Sequence, residues 1–256
     1  MDIGKQWQLS KNKKFMKIIS PSVELLGYSK LIDDNSEESP MKLLELAIRN
    51  CYKSEDKITE DSWQKIIKII LDNNHTSTLE HVSFTFRITT SRDILQEIAR
   101  HRIASYSVES SRYVNYGNSK KGLTFIRPAW VSQEQLDKAI SLLDTLDSSK
   151  VLYAVNDPVI TDDIKAICNW YMDLQQAEFS YNFKLDKGWK PQQARISLPG
   201  CTKTEIVMTM NIRSLLNFLQ LRTSPQAHPD MQVVAKLMQQ ILQEKYPVIF
   251  TTERIN

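Results

Sequence analysis

Residues Val82–Thr89 alternate without a break. Val82, Phe84, Phe86 and Ile88 face one way; Ser83, Thr85, Arg87 and Thr89 face the other. Side chains along a strand repeat every two residues, so this pattern predicts a strand with one face buried and one face wet. Such a strand needs partner strands beside it and an apolar layer on one side. Thr204–Ile212 alternates in the same way and is read as a second strand. A third extended segment is expected at Met16–Leu26.

The apolar layer comes from helices. Ser39-Pro40 opens a helix through Met41–Tyr52, with Leu43, Leu44, Leu46, Ala47 and Ile48 apolar. Thr59 is expected to cap the next helix, with Glu60 and Asp61 in its first turn and an end near Leu71. Ser91 is expected to cap a helix through Asp93–Arg102. Further helices are expected at Gln133–Leu146, from Thr161 to Gly188, and over Gln192–Ile196 with Pro191 at its first position. Ser214–Leu221 and Pro229–Lys245 close the chain, the latter with the apolar stripe Val233, Val234, Leu237, Met238, Ile241 and Leu242. Ile103–Gly122, rich in Ser, Tyr, Asn and Gly, reads as a long loop, and loops of ~15 residues or more in a compact domain usually serve function. The whole predicts an α+β fold, with helices packed around a small, mostly antiparallel sheet. Residues 1–256 are expected to form one domain, with 1–15 as a loose N-terminal extension.

Composition then removes function classes. Only six of the 256 residues are glycine, and no G-x-G pair exists. Gly117 and Gly122 have the G-x-x-x-x-G spacing, but Leu123-Thr124 follows where Lys-[ST] is required. Both phosphate loops need glycine so that backbone N–H groups can approach the anion. Any nucleotide is therefore expected to be gripped by side chains. Three cysteines, Cys51, Cys168 and Cys201, without a CxxC pair, fit neither a disulfide framework nor a zinc site. His75, Glu80 and His81 do not fit H-E-x-x-H, and no metal is expected. No apolar run reaches the ~18–20 residues of a membrane span, and MDIGKQWQLSKNKKFMK does not read as a secretory signal. A cytoplasmic protein without a membrane partner is expected. The net charge of +3 is a weak reason to expect a nucleic-acid partner.

The chemistry concentrates at residues 100–113, RHRIASYSVESSRY. Cations at a helix C-terminus are favoured by the macrodipole, and arginine suits bidentate recognition of phosphate. The hydroxyls of Ser105, Ser107, Ser110 and Ser111 can complete an anion site. A capped helix end with a solvated basic face is the simpler reading of the same residues.

Arg100-His101-Arg102, seven residues and then Ser110 resembles the motif of the flavin-dependent thymidylate synthases. Other segments are similar to that family in the same order: HTSTLEHVSFTF (His75–Phe86), QARISLP (Gln193–Pro199) and MNIRSLLNFLQLR (Met210–Arg222). The resemblance spans roughly Met16 to Pro247. It implies that family's fold and the conversion of dUMP to dTMP, with methylenetetrahydrofolate as carbon donor, FAD as redox cofactor and NADPH as hydride source. It implies FAD contacts from His75, Ser77, Arg100, His101, Arg102, Asn211, Arg213 and Asn217. It implies dUMP contacts from Glu97, Arg100, Ser110, Ser111, Arg112, Arg195 and Arg222. Arg222 matches the arginine that acts on the pyrimidine ring. A homotetramer with active sites shared between subunits is implied as well, so that Arg195 serves a neighbour's pocket.

The chain departs from the family pattern in places. Ser107-Val108 stands where Asn-Glu is common, and Glu97 where a Gln commonly sits near dUMP. Glu97 near a phosphate is repulsive unless an arginine pairs with it. Gln192 replaces an acid found in some members, and TSPQAHPDM follows Arg222 in a variant form. Two other readings stay open: a flavoprotein of the same fold without methyl transfer, and a nucleic-acid module using Arg100, Arg102 and Arg112 on phosphates. Trp63, Trp170 and Trp189 are expected in the core or an interface, His81 in a structural role, and Lys120-Lys121 in a solvated loop.

Overall fold

The computed structural model describes residues 16–117, 122–145 and 160–255. The expectations for residues 1–15, for Lys120-Lys121 and for Leu146 lie outside the described residues. The described strands are β1 (Lys17–Ile19), β2 (Ser22–Tyr28), β3 (Ser83–Ser91), β4 (Ser105–Val108), β5 (Thr124–Ile126) and β6 (Lys203–Asn211). The chain separates into two compact units. Among the described residues, a sheet unit takes 21–90, 94–108 and 204–255, and a helical unit takes 16–20, 91–93 and the segments between 109 and 203.

In the sheet unit the strand order is β2-β3-β6-β4. β2 runs antiparallel to β3, with Val23 opposite Ile88 and a bulge between Leu25 and Gly27. β4 runs antiparallel to β6, with Tyr106 opposite Met208. Ile212 N–H donates to the Val82 carbonyl, and the Thr85 and Thr209 hydroxyls meet at 2.9 Å, so β3 and β6 also run in opposite directions. The expected alternation holds on both central strands. Phe84, Phe86 and Ile88 on β3 and Ile206, Met208 and Met210 on β6 are buried. Helices Ser39–Tyr52, Ile212–Thr223 and Pro229–Lys245 contribute Leu44, Ile48, Leu215, Phe218, Val234, Met238 and Leu242 to the same core. Each such side chain contributes about 1.5–3 kcal/mol when fully buried. On the opposite sheet face, Arg87 pairs with Glu24 at 2.9 Å in the open.

The helical unit pairs β1 with β5 in parallel. Helices Gln133–Thr145 and Asp162–Asp186 pack through Leu136, Ala139 and Leu143 against Ile164, Ile167 and Cys168. A second cluster joins Tyr116, Leu123, Phe125, Leu174, Tyr181 and Ala194. The long helix ends in a Schellman motif. Gly188 adopts φ +86°, its N–H donates to Leu185, and the Trp189 N–H reaches back to the Lys184 carbonyl.

Several expected boundaries move, each for a local reason. Met16–Leu26 is two strands, broken at Ser20-Pro21, because proline brings no N–H to a ladder. The Thr59 cap is replaced by a start at Ser62, whose hydroxyl receives the Thr59 N–H and donates to Glu45. The helix expected to reach Arg102 stops at Ile98. Tyr106 OH donates to the Ile98 and His101 carbonyls, and Arg222 takes the Glu97 carbonyl, so side chains satisfy the orphan groups of the helix end. The long loop from Ile103 contains β4. A sheet edge tolerates its polar Ser105 and Ser107, which is why composition read this segment as loop. The Gln192–Ile196 helix is Pro191–Ala194 followed by a 3-10 turn over Arg195–Ser197.

Candidate active site

The expected site residues fall into a cluster in each unit. In the helical unit, a pocket of about 600 Å³ is lined by Arg92, Ser111, Gln192, Gln193, Arg195 and Trp189, with Ile196 and Leu198. That volume lies within the usual range for a small-molecule site. Two arginines, a hydroxyl and two amides line it without a carboxylate, which suits an anionic ligand. Arg195 donates to Ser111 Oγ at 2.9 Å, so these two expected substrate residues do come together. Ser110 Oγ accepts the Arg112 N–H at 3.3 Å, and the exposed Arg112 guanidinium lies 5.6 Å from the Tyr113 ring centre.

The sequence pattern marks only a helix cap at Ser91, whereas the fold brings the next residue, Arg92, into the pocket lining. Its Nε is buried with no hydrogen-bond partner, and its NH2 reaches the Glu109 carbonyl and Tyr116 OH only at 3.5 and 3.4 Å. The Glu109 carboxylate is already engaged by Lys203 at 2.8 Å and by Tyr116 OH at 2.8 Å. Burial, then the bond to Glu109, pushes the Tyr116 phenol up to about 12, so it remains a donor. Trp189, expected in the core or an interface, is 47% exposed and lines the pocket. The signal available for it was positional: Gly188 ends one helix and Pro191 starts the next, so Trp189 is confined to the turn between them.

Gly200 supports the floor of this unit. Its carbonyl accepts the Asp93 N–H, and a Cβ built there would lie 1.8 Å from the Asp93 carboxylate. Gly200 and Gly188 are both positions where the fold needs one of the scarce glycines.

In the sheet unit, the expected pyrimidine arginine is held from three sides. Arg222 Nε donates to His101 Nε2 at 2.9 Å, its NH1 to Glu97 Oε2 at 3.0 Å, and its NH2 to the Glu97 carbonyl at 3.2 Å. Arg222 thereby supplies the pairing that Glu97 needs. Since His101 Nε2 accepts, the neutral ring carries its proton on Nδ1. Burial, then the Arg222 charge, lowers the His101 pKa to about 4. The ring meets Phe218 edge-on at 4.7 Å.

Two of the residues expected at FAD, Asn211 and Arg213, stand at one helix start. Asn211 caps helix Ile212–Thr223 by accepting the Ser214 N–H at 2.8 Å. Arg213 pairs with Glu80 at 2.6 Å, tying the helix to the 3-10 turn Thr76–His81 that carries Ser77. His75 Nδ1 lies 3.1 Å from Tyr52 OH. Arg100, Arg102 and Asn217 are exposed, and His81 is exposed rather than packed. Among the described residues, no group of three His, Cys, Asp or Glu side chains could hold a metal ion, and no helix is long and apolar enough to cross a membrane.

Comparison with known proteins gives the family. The family model described as thymidylate synthase complementing protein matches residues 30–248. A flavin-dependent thymidylate synthase of Wolinella succinogenes is 35% identical over 208 residues, covering 80% of this chain and 89% of the relative. The Helicobacter pylori enzyme of the same name is 32% identical over 217 residues, covering 83% and 93%. A crystal structure of thymidylate synthase X from Helicobacter pylori with FAD and dUMP superposes with a TM-score of 0.65 at 26% identity, covering 92% of this chain and 99% of that one.

Proposed function

This chain belongs to the flavin-dependent thymidylate synthase family, and on that premise we propose that it methylates dUMP to dTMP with FAD as its redox cofactor. The observation that carries the reading is Arg222. Its guanidinium is fixed by three acceptors, which leaves two of its five N–H groups for a ligand. An arginine stays protonated at any working pH. Held against a uracil carbonyl, it stabilises the negative charge that develops as ring carbon C5 becomes nucleophilic. No cysteine nucleophile is needed: Cys51 is exposed, Cys168 is buried and Cys201 is half-buried.

The residues present fit FAD by their donor set. Arg100, Arg102 and Arg213 offer cations to a pyrophosphate, and His75, Ser77, Asn211 and Asn217 offer neutral polar groups, all in the sheet unit. When bound, FAD supplies the redox chemistry, with NADPH as the source of hydride and methylenetetrahydrofolate as the source of carbon. Arg100 and Arg102 follow a helix end whose carbonyls are already occupied, so their guanidinium groups are not needed as caps.

The substrate phosphate is assigned to Arg92, Ser110, Ser111, Arg112 and Arg195 of the helical unit. A buried arginine Nε without a partner beside a second arginine matches what a dianion requires. The molecule works as a cytoplasmic homotetramer whose subunits share active sites, with no nucleic-acid partner. The purified protein is expected to be yellow and to bleach when NADPH is added. A colourless protein that cannot be loaded with FAD contradicts the assignment.

A further inference from the structure

We infer that Glu97 is the positioning residue for Arg222, setting where its guanidinium stands during the reaction; this rests on the role proposed for Arg222 above. The pair is an improbable stability device. The Arg222 and Glu97 side chains are 20% and 31% exposed, and pairs with solvent access contribute only about 0–1 kcal/mol. Its geometry is more specific than that. Three acceptors, the Glu97 carboxylate, the Glu97 carbonyl and His101 Nε2, come from a five-residue stretch and converge on one guanidinium.

That stretch is itself held in place. Tyr106 on β4 donates one hydroxyl to two carbonyls, Ile98 at 2.9 Å and His101 at 2.7 Å. Phe218, one turn before Arg222 on the same helix, packs edge-on against the His101 ring. The carbonyl and the imidazole fix two nitrogens of Arg222. The Glu97 carboxylate fixes the third, NH1, and so removes the remaining rotation of the guanidinium plane. The oxygen acceptor at that distance is what positions Arg222; the negative charge is secondary.

Two substitutions separate reach from charge. Glu97→Gln keeps the length and an oxygen acceptor but loses the charge. Glu97→Asp keeps the charge but draws the acceptor back by one methylene. Both are made in the full chain loaded with FAD, beside Arg222→Ala, and kcat, the KM for dUMP and flavin content are measured. Misplacing a reacting group by about 1 Å costs up to about 100-fold, so Glu97→Asp is expected to lose about tenfold or more in kcat. Glu97→Gln is expected to retain roughly a third or more, the KM for dUMP to move less than kcat in both, and flavin content to stay unchanged. A Glu97→Asp enzyme as active as Glu97→Gln, or a Glu97→Gln enzyme as impaired as Glu97→Asp, overturns the inference. If Arg222→Ala is inactive in that case, the role of Arg222 survives. If Arg222→Ala turns over normally, the proposed role of Arg222 and this inference fail together.

Discussion

At the residue scale, Arg222 and His101 form a hydrogen-bonded pair, Arg222 Nε donating to His101 Nε2. Arg222→Ala is expected to reduce kcat by about 100-fold or more, the scale of losing a preorganised donor to developing charge, while flavin content is kept. Steady-state kinetics on the flavin-loaded variant checks this, and wild-type turnover refutes it. The pKa of His101, about 4 in the fold against an ordinary 6.5, has a sign that can be worked out. Between those values the unfolded chain binds a proton that the folded chain does not, so stability falls as pH drops from 6.5 towards 4. Glu178 works in the opposite sense. Burial raises its carboxyl from 4.5 to about 7, so across that window the fold keeps a proton the unfolded chain has lost, and stability falls as pH rises. The two windows overlap, so single variants are needed to separate them. Urea midpoints between pH 4.5 and 6.5 should fall less steeply with acidification in His101→Gln than in wild type; parallel curves contradict this assignment.

At the scale of elements, the turn between helices Asp162–Asp186 and Pro191–Ala194 deserves a test because it carries Trp189 into the pocket. Gly188 sits at φ +86°, where a side chain is strained. Gly188→Ala is expected to cost about 1 kcal/mol, read as a lower denaturant midpoint with an unchanged slope. An unchanged midpoint contradicts the Schellman assignment. Sequence legibility varied between elements for physical reasons. β3 and β6 declare themselves because one face of each meets a continuous core, and a side-chain period of two survives in the residue types. β4 does not, because an edge strand of Ser-Tyr-Ser-Val satisfies its backbone in the sheet without apolar alternation. The end of the Arg92–Ile98 helix was hidden for a related reason: its carbonyls are taken by Tyr106 and Arg222, residues distant from a helix-ending glycine or proline. Of the pocket lining, Ser111 and Arg195 are among the residues the family resemblance names. Arg92 is not, since a single arginine after Ser91 carries no pattern and only the fold leaves its Nε buried and unpaired.

At the scale of the whole molecule, the scarcity of glycine has a structural counterpart. Neither cluster is built on a Gly-rich turn; Arg92 and Arg195 stand with Ser111, Gln192 and Gln193 in one, and Arg222 with His101 in the other. Trp189, Ile196 and Leu221 are exposed apolar side chains, and Ile196 beside Arg195 is 80% exposed. Light scattering should return four times the chain mass, and a monodisperse monomer contradicts the shared-site arrangement. The central claim is tested most directly by product formation. Purified, FAD-loaded protein supplied with dUMP, methylenetetrahydrofolate and NADPH should form dTMP, with each of the three additions required. Oxidation of NADPH without any dTMP under those conditions contradicts the claim and leaves a flavoprotein of the same fold that does not transfer the methyl group.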